Sequence, residues 1–207
     1  MKGLILKDFY VISKQMKFLL LLLVIFTLLM GYTFGVFALL YCALLPISTI
    51  AYDERAKWDK YAAAMPYSRK DIVLSKYLLG LMCMIGALVI IFIGTLVYGL
   101  FTDTVFTGES ITQLLYMIIS FFCITLIFMA INLPVIFKWG VEKGRLIFIM
   151  GIAAFAGIIG ATSVIENTST AIEIFLNNYF YIVVLVAVAF LGASIPLSIS
   201  FYKKRDL

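Results

Sequence analysis

The chain contains no histidine, and only 13% of its residues are charged. Without histidine, the commonest metal ligand and the commonest general base are missing. Ser–His and Cys–His dyads are excluded, as is an H-E-x-x-H metal helix. No G-x-x-x-x-G-K-[ST] stretch occurs, so this chain does not hold ATP in a phosphate loop. The three cysteines, Cys42, Cys83 and Cys123, lie inside apolar runs with no paired spacing. That pattern suggests neither a disulfide framework nor a metal knuckle, and we read them as small core residues. The central part of each apolar run also lacks ionisable side chains. Proton- and ion-coupled pumps place such groups within the membrane, and an aspartyl dyad there would need two acids at that depth. If this protein does work, the energy arrives from another chain.

What the chain has in excess is apolar surface. The hydrophobic fraction is 64% and the mean hydropathy +1.13, against about 45–50% apolar residues in a typical soluble domain. Apolar runs of 18 or more residues make it an integral membrane protein. Barrel strands would alternate apolar and polar residues, whereas these runs are apolar on every face. The expected fold is all-α: a single domain over 1–207, polytopic, with six transmembrane helices.

Residues 1–16 are expected to form an amphipathic helix. Ile5, Phe9, Ile12 and Met16 share one face, with Lys7 and Lys14 roughly opposite, so the helix can rest in the headgroup layer. A solvated tail is the competing reading. Val36-Phe37-Ala38 loosely resembles a signal-peptide cleavage site, but we expect no cleavage. No charge occurs from Phe18 to Tyr52. One helix of that length would measure about 50 Å, beyond the roughly 30 Å hydrocarbon core, so the run must fold back. We place helices at 17–32 and 36–52, with a tight turn over Gly31–Gly35; that glycine pair also fits a small-xxx-small packing motif. The next helix spans 69–100. Ser68 is its N-cap, Asp71 completes an S-x-x-D capping pattern, and Tyr67 and Ile72 occupy the staple positions. Further helices follow at 113–137, where Asn132 and Pro134 suggest a kink, at 146–165, which carries a small-residue face, and at 179–202. A short interfacial helix is expected within 166–178.

Charge sets the topology. Lys and Arg number four in residues 1–17, six in 53–76, three in 138–145 and three at the C-terminus, which accounts for all sixteen. The segments after the third and fifth spans carry only acids. The positive-inside rule then puts both termini and both basic loops in the cytoplasm.

The stretch 53–66 stands out. Trp58, Tyr61, Ala62 and Met65 are spaced i, i+3, i+4, i+7 and make an apolar-aromatic face. Asp53, Glu54, Arg55, Lys57, Asp59 and Lys60 flank it with both signs. A helix facing lipid alone would favour basic residues, whereas mixed signs around aromatic anchors suit a protein groove. The bland readings are a basic loop that only fixes topology, or aromatics of the membrane interface.

Tyr52-Asp53-Glu54, Lys57-Trp58-Asp59-Lys60-Tyr61, Met65-Pro66-Tyr67-Ser68-Arg69-Lys70-Asp71-Ile72-Val73 and Ser75-Lys76-Tyr77-Leu78 resemble the signature after the second membrane helix of type-2 ABC transporter permeases. Residues 3–10, G-L-I-L-K-D-F-Y, resemble that family's opening. The likeness is to a small six-helix bacterial group that includes exporters of bacteriocins and phenol-soluble modulins. The resemblance implies a bacterial cell-membrane subunit, not itself an enzyme, that binds no cofactor. ATP and Mg would be bound by two copies of a separate ATPase, and a second permease, identical or related, would complete the transporter. The first helix would be an elbow. Asp53, Glu54, Lys57, Trp58, Asp59, Lys60, Tyr61 and Met65 would form the coupling helix in an ATPase cleft. Lys138, Glu142, Lys143 and Arg145 would make a second, smaller contact. The segment after the fifth span would cap the extracellular side.

The expected cargo is an amphipathic or hydrophobic peptide, a toxin or antimicrobial, because apolar burial is non-directional and tolerates many sequences. Thr33, Ser48, Thr49, Thr95, Thr125, Asn132 and Thr162 are mild polar groups that could line a path, and none is assigned to it. No nucleic acid or metal is expected. The alternative is a non-transporting sensor or regulatory subunit with the same basic loops.

Overall fold

A computed structural model describes residues 2–30, 32–101, 108–144, 146, 149–150, 153 and 170–204. The described residues are helical apart from short turns, with no strand among them. The helices are α1 (Lys2–Met30), α2 (Tyr32–Arg55), α3 (Trp58–Ala63), α4 (Arg69–Phe101), α5 (Gly108–Trp139) and α6 (Thr170–Lys203). Three of their segments, Arg69–Gly99, Leu114–Trp139 and Phe180–Lys203, are long and apolar enough to cross a membrane. Helices are the expected outcome for such sequences, because in hydrocarbon every backbone N–H and C=O must find its partner within the segment. A third or less of each span's most apolar stretch is buried inside the chain (33%, 33% and 17%). The remaining faces stay apolar and outward.

Several boundaries differ from the sequence expectation. No break separates an elbow at 1–16 from a span at 17–32: α1 is continuous, because Lys14-Gln15-Met16-Lys17-Phe18 are compatible with helix and contain neither Gly nor Pro. Its buried stripe runs through Leu4, Asp8 and Ile12, not through Phe9, which is exposed. Residues from Tyr32 onward are already helical, so the turn predicted over Gly31–Gly35 is not seen there, and Gly31 itself lies outside the described residues. α5 continues past Pro134 to Trp139. α6 starts at Thr170 and absorbs part of the predicted interfacial segment, and most of the span placed at 146–165 lies outside the described residues.

The core is built on α2, α4 and α5, through residues such as Leu39, Ile47, Val73, Met84, Leu133 and Ile136. Gly80 marks the closest approach. A Cβ there would stand 2.8 Å from Pro46 Cγ and 2.5 Å from Met129 Sδ, so only hydrogen lets α4 sit against α2 and α5. The start of α4 forms as the sequence predicts: Asp71 N–H donates to Ser68 Oγ at 3.1 Å, and Ser68 Oγ lies 2.8 Å from Asp71 Oδ2.

Pro134 shows how the bundle repairs a helix defect. Lacking an N–H, it leaves the carbonyl of Ala130, four residues back, without its helical donor. Ser194 Oγ of α6 donates to that carbonyl. Ser194 has then spent its one proton, so the Tyr77 hydroxyl of α4 donates to Ser194, and Ser198 Oγ donates to Tyr77 over 2.7 Å. A proline in α5 thus draws α4 and α6 onto it. Ser194→Ala is expected to lower the unfolding stability by about 1 kcal/mol. In a Pro134→Ala background the loss shrinks, because residue 134 regains its N–H; thermal unfolding in detergent of the two single variants and the double variant measures this.

Candidate functional site

The structure gathers charge at one end of the bundle. The start of α1, the end of α2 and the start of α4 meet there through ion pairs, and α3 joins them through a cation–aromatic contact. Lys76 of α4 contacts Asp8 of α1 at 2.8 Å and Asp53 of α2 at 2.6 Å. Lys7 contacts Asp53 at 2.6 Å and Asp8 at 3.1 Å. Asp8 and Lys76 are 1% and 2% exposed. Two ammonium groups and two carboxylates therefore close a neutral ring between three helices. Desolvating any one of these charges costs several kcal/mol, and only the opposite charges beside it offset that cost. Asp8 Oδ2 is buried without a partner.

The ring reaches α3 through Lys7, whose Nζ lies 4.3 Å from the centre of the Trp58 ring. Cation–aromatic contacts of this kind contribute about 0.5–2 kcal/mol, more as water is excluded. Lys57, at φ +52°, turns the chain between α2 and α3. That left-handed conformation costs a non-glycine residue roughly 1 kcal/mol or more.

The second basic loop meets the same end. Gly140, at φ +84°, ends α5, and Glu54 of α2 accepts from the Val141 N–H at 3.4 Å. Arg69, at the start of α4, donates to the carbonyls of Lys203 (2.7 Å) and Tyr202 (3.3 Å) and so caps the end of α6. The basic segments around 53–76, 138–143 and 203–204 are thus linked to this one end.

The predicted docking residues divide into inward and outward sets. Asp53 is buried in the ionic ring, Trp58 is half-buried under Lys7, and Ala62 is buried. Tyr61 is 63% exposed and Met65 41%, with Lys57 and Lys60 also outward. The aromatic face expected of Trp58, Tyr61, Ala62 and Met65 is therefore split: one side holds α3 to the bundle and the other is open. Asp59 lies on α3. Glu54 is drawn to Val141, and of the second contact Glu142 and Lys143 are exposed, Lys138 stacks on aromatic rings, and Arg145 lies outside the described residues. Sequence reasoning missed Lys7, Asp8 and Lys76 as site residues. The available signal was a charge at an i+4 position between Leu4 and Ile12, and a lysine inside Ile72-Val73-Leu74-Ser75-Lys76-Tyr77-Leu78-Leu79; each asks for a buried counter-charge. Among the described residues no cluster of three or more carboxylates or cysteines could hold a metal.

An all-helical membrane domain with an ionic ring and two basic loops linked at one end is the class that these observations define. The chain belongs to the ABC-2 transporter family: it matches the family described as ABC-2 family transporter protein over residues 3–203. No curated protein and no solved structure matches it. The family is one of membrane transport subunits that work with separate ATPase subunits.

Removing one member of the ring leaves uncompensated buried charge, so Lys76→Met is expected to cost about 3–5 kcal/mol. The fully apolar replacement, Lys7→Met with Asp8→Leu, Asp53→Leu and Lys76→Met, is expected to recover most of that loss. Unfolding midpoints in detergent, compared across wild type, single and quadruple variants, check both.

Proposed function

We propose that this chain is the permease subunit of an ATP-driven ABC exporter, and that α3 is the element through which the ATPase moves it. The observation that carries this reading is the two-sided construction of α3. Its open side presents Tyr61, Met65, Lys57 and Lys60, and its inner side is tied through Trp58 and Lys7 to three membrane helices. Exposed tyrosine and methionine beside cations fit a cleft on a partner protein. Glu142 and Lys143 form the second, smaller contact, together with Arg145.

In this reading ATP and Mg are bound and hydrolysed on two partner subunits, and two permeases, identical or related, form the path. The bundle has six spans with both termini in the cytoplasm of a bacterial cell. One observation supports the orientation: the basic segments 53–76, 138–143 and 203–204 are linked to one end of the bundle through Lys76, Glu54 and Arg69. The cargo is an amphipathic or hydrophobic peptide, accommodated by uncharged walls.

The ring converts a push on α3 into a movement of α1, α2 and α4 together. Breaking it would strand buried charge, so the three helix ends move as one body. Tyr61→Ala and Met65→Ala are expected to weaken co-purification of the ATPase subunit by tenfold or more, as anchor truncations of about 2 kcal/mol do. The quadruple apolar variant is expected to keep ATPase binding while losing transport-linked stimulation of hydrolysis. Unchanged ATPase binding after both surface truncations would contradict the docking role of α3.

A further inference from the structure

A groove between α5 and α6 belongs to neither the ionic ring nor the α3 surface. It encloses about 360 Å³ and is lined by Ile131, Pro134 and Val135 of α5 and by Phe190, Ala193 and Leu197 of α6. Both helices carry candidate membrane spans, so the groove opens toward hydrocarbon along most of its length. The polar atoms at its floor are already used, since Ser194 Oγ donates to the Ala130 carbonyl and accepts from Tyr77. An occupant must therefore be apolar along this length and needs no hydrogen bond from the walls.

One end is different. Lys138 closes the groove at the charged end of the bundle. Its Nζ lies 4.8 Å from the Trp139 ring centre and 5.0 Å from that of Phe201, and both rings also line the groove. The aromatic rings hold this ammonium at the groove's mouth, and among the described residues no carboxylate pairs with it. Lys203 and Lys204 are exposed at the same end of α6. A long apolar slot that finishes at a fixed cation, flanked by a tryptophan at interfacial depth, matches a molecule with a hydrocarbon tail and an anionic head. A second copy of this chain is a poor fit. Face-to-face pairing across the groove would bring Lys138 toward its own counterpart.

We propose that this groove is a binding site for an anionic phospholipid, with one acyl chain along α5 and α6 and the phosphate on Lys138. The inference rests on the chain lying in a membrane and is independent of ATP coupling. A bound lipid there would brace α5 against α6 at the level where Pro134 weakens α5.

The full chain, reconstituted in bilayer discs of equimolar phosphatidylglycerol and phosphatidylcholine and then released in mild detergent, is assayed by native mass spectrometry for retained lipid. The wild type is expected to retain phosphatidylglycerol preferentially. Lys138→Gln is expected to lower that retention about fivefold, the factor that corresponds to about 1 kcal/mol for one cation at an anionic surface. Ala193→Phe, which fills the slot without touching the charge, is expected to lower it as well, while Lys204→Gln leaves it near the wild-type level. Retention unaffected by Lys138→Gln and Ala193→Phe would overturn the proposal. So would an equal loss in Lys204→Gln, which would mark general attraction to the basic end. Efficient disulfide dimers of Ala193→Cys in membranes would also overturn it, by showing that a second copy covers the groove.

Discussion

The Lys76 ammonium, buried between Asp8 and Asp53, is the constraint on which the arrangement depends. The cost of desolvating an ammonium at this depth is offset only by carboxylates beside it. Lys76 finds two, one on α1 and one on α2, and each of those is ion-paired with Lys7 as well. Because every member needs the others, the ends of α1, α2 and α4 are held to one geometry. Apolar contacts alone would specify this less sharply, since burial in a membrane bundle is non-directional and lipid tails compete for the same surfaces.

That constraint gives the molecule two ends of different character. At the charged end, capping and pairing interactions link all six described helices: Arg69 caps α6, Glu54 meets the residue after α5, and Lys7 holds α3. Along the rest of the bundle, contacts among the described residues include close packing at Gly80, the hydroxyl relay that repairs Pro134, and the edge-on Tyr116–Phe180 ring pair. A load applied at α3 enters where the helices are most tightly joined.

Much of the fold was legible in the sequence. The all-helical membrane class followed from uncharged runs, the start of α4 from Ser68 and Asp71, and the family from the residues around Trp58. The ionic ring was not legible, because ion pairs 23, 46 and 68 residues apart leave no periodic trace. Asp53 and Trp58 read as surface docking residues by composition, and only the packing of α3 shows that they face inward. The continuity of α1 was obscured for a similar reason. A change from mixed to uniformly apolar sequence at Lys17 looks like an element boundary, yet it marks only a change in what surrounds one unbroken helix.

The central claim is mechanical: α3 and the start of α1 travel together because Lys7 joins Trp58 to the buried ring. Spin labels at the exposed positions 6 and 60, in the transporter reconstituted with its ATPase, measure this directly by pulsed electron paramagnetic resonance. The account predicts that the distance between them is the same without nucleotide and with ATP trapped, while the distance from position 60 to position 185 on α6 changes. A separation between positions 6 and 60 that widens on ATP binding would contradict it.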